Sequence, residues 1–242
     1  MAARTLRALS TLELPMSTDS LTFYTHPMSR GRVSRWMLEE TGLPYEEVIL
    51  DYGSTMKSPD YLAINPMGKV PALGHGGVTV TENAAICTYL ADLVPEKALL
   101  PQPGSPLRGL CYRWLFFAAG PLESFLTARK YGALAPTSEA GYGNEADLLH
   151  TLEQAVAGRT YVAGDGFTVA DLYLASAMGF YMRFGMLERR AAFEDYVRLH
   201  QQRPAALRAA ARDEALMAAH PHPAAAAAAA AATAKTTATA AP

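Results

Sequence analysis

The stretch Asn65-Pro-Met-Gly-Lys-Val-Pro-Ala-Leu73, followed shortly by Thr81-Glu-Asn-Ala-Ala-Ile86, constrains this chain more than any other. Val70 precedes Pro71, so the bond between them can be cis, and a cis bond turns the neighbouring amide and carbonyl outward. An edge turned out in this way can pair with an extended backbone, as in strand addition. Val70 to Leu73 and Val78 to Thr81 straddle His75-Gly-Gly77, an antiparallel hairpin signal. Glu82 and Asn83 then open a helix that runs to Leu93, and free amide hydrogens at a helix start favour an anion. Together these features describe a site for a ligand with a peptide backbone and an amino-acid end.

Upstream, Leu21 to Thr25 reads as a strand with Leu21 and Phe23 on one face. His26-Pro27 ends it, and Ser29 stands where an N-cap would for the next helix. Val33, Trp36, Met37 and Glu40 lie at helical spacing, and Gly42 stops the run. Tyr45 to Leu50 reads as a second strand, which makes a βαβ unit and a parallel pair. Residues 53 to 65 read as polar and turn-rich. The order βαβ then ββα is that of a thioredoxin-like fold.

Pro95 to Pro106 carries four prolines and a glycine, the mark of a linker. Beyond it the long segments read as helices: Leu107 to Arg129, Asn144 to Ala157, Val169 to Phe184, Phe193 to Gln202, and Pro204 to Met217. The expected fold class is therefore α/β plus all-α. An N-terminal extension (1–19), expected to be disordered, precedes a thioredoxin-like domain (20–100). An all-helical domain (106–219) follows, and an Ala-rich low-complexity tail (220–242) ends the chain.

Of 242 residues half are apolar and 18% are charged, which favours a packed core over disorder. Lys and Arg number 21 against 23 acids, a balance of 21 − 23 = −2, so nothing suggests a nucleic-acid partner. No apolar run is long enough to span a bilayer, and no membrane partner is expected. Cys87 and Cys111 stand alone in helical apolar patterns, which reads as buried thiols in a reducing compartment and gives no metal site. His26 and His75 read as loop residues.

Four separated motifs, Tyr24-Thr-His-Pro-Met-Ser-Arg-Gly-Arg32, Asn65 to Leu73, Glu82 to Ile86, and Phe167-Thr-Val-Ala-Asp171, resemble those of cytosolic glutathione S-transferases of a bacterial, serine-type-like kind. The resemblance covers about four-fifths of the chain, Leu21 to Leu100 and Ser105 to Met217. It implies a cytoplasmic homodimer that conjugates the glutathione thiolate to small hydrophobic electrophiles, with glutathione as co-substrate and a role in detoxification. It also allows a glutathione-dependent isomerase, dehalogenase or peroxidase, or a non-catalytic interaction module.

The resemblance implies that Ser29 activates the thiol, with Tyr24 and Arg30 as rivals. Val70 would pair its main chain with the cysteinyl part, beside a cis Pro71. Glu82 and Asn83 would hold the γ-glutamyl end, though the family more often has serine at the second position. Lys57 and Lys69 would face the glycyl carboxylate. The absence of cysteine after the first strand disfavours classes that form mixed disulfides there. Thr168 to Asp171 has capping-box form and a folding role. A second substrate is expected between the domains, against Arg113 to Gly120, where core packing and dimerisation compete with a substrate role for Phe116 and Phe117.

Overall fold

The computed structural model describes residues 20–220. The expectations for residues 1–19 and for the tail beyond His220 lie outside the described residues. Strands β1 (Leu21–Thr25), β2 (Tyr45–Ile49), β3 (Ala72–His75) and β4 (Val78–Thr81) form one sheet in the order β2-β1-β3-β4. β1 runs parallel to β2 and antiparallel to β3, and β3 and β4 form the expected hairpin. Helices α1 (Gly31–Thr41), α2 (Pro59–Ile64) and α3 (Asn83–Asp92) complete the thioredoxin-like part. Then follow α4 (Pro106–Phe117), α5 (Glu123–Lys130), α6 (Glu145–Val156), α7 (Val169–Arg183), α8 (Ala191–Gln201) and α9 (Pro204–Met217).

Strand alternation sets what each face buries. Leu21 and Phe23 point into the main core with Val33, Met37, Ile86 and Leu90 of α1 and α3. Tyr24 points the other way, into a smaller cluster formed by Leu50, Met56 and Tyr61. α1 is buried on nearly every side, because α3, α7 and α9 all pack against it. Its Arg35 is fully buried, with Nε 2.6 Å from Asp213 of α9 and Nη1 paired with Glu47 of β2.

Four local expectations differ from what is found. β3 starts at Ala72 rather than Val70, since Pro71 has no N–H to give to a ladder. The stretch read as turns contains α2, with Pro59 in the first turn and Ser58 Oγ accepting from Tyr61 N at 3.3 Å. The helix read as continuous to Arg129 widens over Ala118–Leu122, around Pro121. Proline inside a helix removes a donor and crowds the preceding turn, and a wider turn accommodates both. His75 closes β3 and bonds Tyr89 Oη at 2.6 Å, and His26, though in a loop, is buried.

The capping box holds. Thr168 N and Oγ1 both donate to Asp171 Oδ2, at 2.8 and 2.9 Å. Val162 N (2.8 Å) and Tyr196 Oη (2.7 Å) donate to Oδ1 of the same fully buried carboxylate. One side chain thus starts α7, fixes the preceding loop and docks α8. Removing it leaves buried donors unpaired. Asp171→Ala is expected to lower the unfolding free energy in urea titration by about 1–3 kcal/mol for each buried donor left unpaired. His200, buried beside the Tyr196 and Phe167 rings, has its pKa pushed below 6.5 by desolvation. The unfolded chain then binds this proton more readily, so its contribution is complete above pH 6.5 and is lost as pH falls below it. His200→Gln is expected to flatten the fall in melting temperature between about pH 6.5 and 5.

Candidate active site

The pairing register brings the sequence-predicted residues together. Ala72 of β3 faces Tyr24 of β1 on one side and Thr81 of β4 on the other. The loop after β1 (with Ser29), the turn before β3 (Val70-Pro71) and the start of α3 (Glu82, Asn83) therefore share one end of the sheet. The Val70-Pro71 bond is cis. Val70 precedes the ladder, which begins at Ala72. The turn ahead of it is fixed at the Lys69 carbonyl, which accepts from Tyr61 Oη (2.5 Å) and from Asn65 Nδ2 (2.8 Å).

Ser29 is buried; its Oγ donates to the His26 carbonyl at 2.7 Å and accepts from Gly31 N at 2.9 Å. Helix α1 starts at Gly31 with Arg30 at the cap position, so Ser29 bonds the first helical amide from one residue further out than expected. Gly31 is glycine because nothing larger fits: a Cβ there would lie 2.0 Å from Thr25 Oγ1 and 2.9 Å from Ser29 Oγ. Sequence reading passed over Thr25, whose buried hydroxyl has no hydrogen-bond partner among the described residues.

Glu82 sits at the cap of α3 with φ 67°, a conformation that side chains larger than glycine rarely adopt. It is exposed, and its side chain makes no cap bond to its own helix. A carboxylate held in a costly backbone conformation without local reward is a candidate ligand contact. Asn83 Oδ1 accepts from Ser34 Oγ at 2.7 Å, which ties α3 to α1 and leaves the amide nitrogen as a donor. Lys57 Nζ donates to the Met67 carbonyl at 2.8 Å, and Lys69 is exposed.

The two rivals of Ser29 are committed elsewhere. Tyr24 packs 5.6 Å from the Tyr61 ring on the opposite sheet face, and burial raises its pKa. Arg30 reaches into the helical part: Nη2 is 2.7 Å from Tyr181 Oη and 3.4 Å from Glu123, and the guanidinium lies 4.1 Å from the Phe180 ring centroid. Burial pushes the Tyr181 phenol up to about 12, so it stays a donor and acceptor at neutral pH. Cys87 and Cys111 are free and buried, and burial raises both thiols away from ionisation. No group of three candidate metal ligands forms among the described residues.

Beside Ser29 lies a cavity of about 400 Å³. Its walls come from the Ser29 loop and α1, from Phe180 and Phe184 of α7, and from Leu207 of α9. The expected wall from α4 is not part of this lining. Cys111, Trp114 and Leu115 of α4 are buried in the core instead, and Phe116 is 67% exposed.

Comparison with known proteins gives the family. The family models for the glutathione S-transferase N-terminal and C-terminal domains match residues 19–92 and 122–202. A glutathione S-transferase of Xanthomonas campestris, GST-4.5, is 34% identical over 62% of this chain and 78% of its own length. This chain belongs to the glutathione S-transferase family. The Escherichia coli O157:H7 transferase GstA is 31% identical over 63% of this chain and 78% of its own length. Among solved structures, the Phanerochaete chrysosporium glutathione transferase URE2P6, in complex with oxidized glutathione, superposes with TM-score 0.69 at 26% identity. That match covers 82% of this chain and 98% of the other.

Within this glutathione transferase the start of α1 is the tightest point of the site. Gly31→Ala is expected to cost about 1–3 kcal/mol in thermal or urea unfolding, as overpacked cores do, because the new methyl must displace Thr25 or the start of α1.

Proposed function

We propose that this glutathione transferase activates the thiol of glutathione through Ser29 and delivers the thiolate to hydrophobic electrophiles held in the cavity beside it. The observation that carries the reading is the meeting of Ser29, Val70-Pro71 and Glu82-Asn83 at one end of the sheet. In this arrangement the Val70 main chain pairs with the cysteinyl unit, next to Pro71. Glu82 takes the γ-glutamyl ammonium, and Asn83 donates to the adjoining carboxylate. Lys57 and Lys69 face the glycyl carboxylate, with Lys69 the freer of the two. Arg30 adds positive potential near the sulfur while it stays bonded to Tyr181.

The chemistry needs a thiolate, because the thiol is a poor nucleophile and ionises near ~8.5 when free. Gly31 N–H already donates to Ser29 Oγ, which polarises the hydroxyl toward giving its own proton. That proton now points at the His26 carbonyl, and rotation about Cβ–Oγ redirects it to a sulfur. The N-terminal end of the α1 dipole adds positive potential beside it. Lowering the thiol pKa by two units takes roughly 2.7 kcal/mol, within reach of one charge-assisted bond and a helix start. Catalysis is then thiolate stabilisation plus proximity. A homodimer in the cytoplasm with a detoxifying role fits the same reading. So does a division into a glutathione-binding unit at 20–100 and a helical unit at 106–219.

The test is titration of bound glutathione by thiolate ultraviolet absorbance. The wild type is expected to show a depressed thiol pKa. Ser29→Ala should still bind glutathione, with the pKa returned by one to two units toward the free value. A variant that kept the depressed pKa would move the activating role to Arg30.

A further inference from the structure

The cavity has apolar walls with charged side chains set among them. The Phe180 ring of α7 and the Phe184 ring just after it lie tilted at 50°, 4.7 Å between centroids, and Phe184 is 53% exposed. Met28 and Leu207, which also line the cavity, are 36% and 56% exposed. A pocket of this size and lining suits an aromatic body.

Most of the charges lining the cavity are already engaged. Arg32 pairs with Asp213 (3.6 Å) and Glu214 (2.9 Å), and Asp213 also holds Arg35. Arg30 is held by Tyr181 and Glu123. Just past the cavity, Arg189 and Arg198 pair with Glu194 and Asp195. Arg183, in the last turn of α7 between Phe180 and Phe184, differs from these neighbours. It lines the cavity, and no hydrogen bond or ion pair engages it among the described residues. A guanidinium left open beside an aromatic wall suits a planar carboxylate on an aromatic ring.

We propose that the second substrate is an aromatic electrophile bearing a carboxylate, and that Arg183 reads the carboxylate while Phe180, Phe184 and Leu207 hold the ring. The proposal rests on the transferase reading above and names the substrate class of its cavity. With a chlorinated nitrobenzoate the glutathione sulfur forms a bond to the ring carbon that carries chlorine. The carbon–chlorine bond breaks, chloride leaves, and the thiol proton passes to solvent.

The experiment compares 4-chloro-3-nitrobenzoate with neutral 1-chloro-2,4-dinitrobenzene in wild type, Arg183→Gln and Arg183→Lys. Calorimetric binding of the benzoate to each is measured alongside, without relying on turnover. Arg183→Gln is expected to lower kcat/KM for the benzoate about tenfold more than for the neutral substrate, mainly through KM. Arg183→Lys should restore part of the loss. Added salt should weaken benzoate binding in the wild type and hardly at all in Arg183→Gln. Equal losses for both substrates would make Arg183 structural, and no loss for either would make it a solvated arginine; each overturns the proposal. A wild type that binds the benzoate through Arg183 yet turns over neither substrate would overturn the transferase reading and leave the anion site standing.

Discussion

A guanidinium with no exposure to water sits where the sheet, α1 and α9 meet. Arg35 leaves α1 at the centre of the contact between sheet and helices, with Glu47 on one side and Asp213 on the other. Taking such charges out of water costs several kcal/mol each, and only close pairing offsets it. Desolvation pushes the Asp213 carboxyl above its ordinary value, while Arg35 and Arg32 pull it back. The network does little for net stability by itself, but it is intolerant of misalignment. It ties α1, which follows the Ser29 loop, to α9, which carries Leu207 of the cavity wall.

α1 consequently serves several masters at once. Its first residue is packed against Thr25, its Ser34 anchors the start of α3 through Asn83, and its Arg35 anchors α9. Trp36 Nε1 donates to Glu40 Oε1, and that carboxylate also receives both forks of Arg203. The end of the sheet that carries Ser29, Val70-Pro71 and Glu82 and the helical wall of the cavity thus both bear on α1.

What could be read from the chain was what is local. The hairpin around His75-Gly-Gly77, the turn at Val70-Pro71, the helix start at Glu82 and the capping box at Thr168 each declare themselves within a few residues. The short α2 was missed although Ser58-Pro59 is a helix start, because six residues give too little periodicity to outweigh turn-forming neighbours. α4 is apolar on most faces, a pattern that fits core, interface and ligand wall alike, and only the packing of Trp114 and Leu115 into the core separates them. The pairing of Arg35 with Asp213 spans 178 positions, and no local signal announces a contact of that range. Arg183 looks in sequence like any last-turn arginine. Only the engagement of its neighbours sets it apart.

The division of labour between holding and touching has an evolutionary consequence. Residues that hold the site in place, such as Tyr61, Asn65, Ser34 and Asp171, are buried or half-buried and bonded to backbone or to one another. Two side chains that would meet the second substrate, Phe184 and Leu207, are more than half exposed. Substitutions at such exposed positions usually move stability by less than about 0.5 kcal/mol. Natural variation can therefore redraw the cavity wall one side chain at a time without risking the fold, and a chain of this design is free to drift in its choice of electrophile while its grip on glutathione stays fixed.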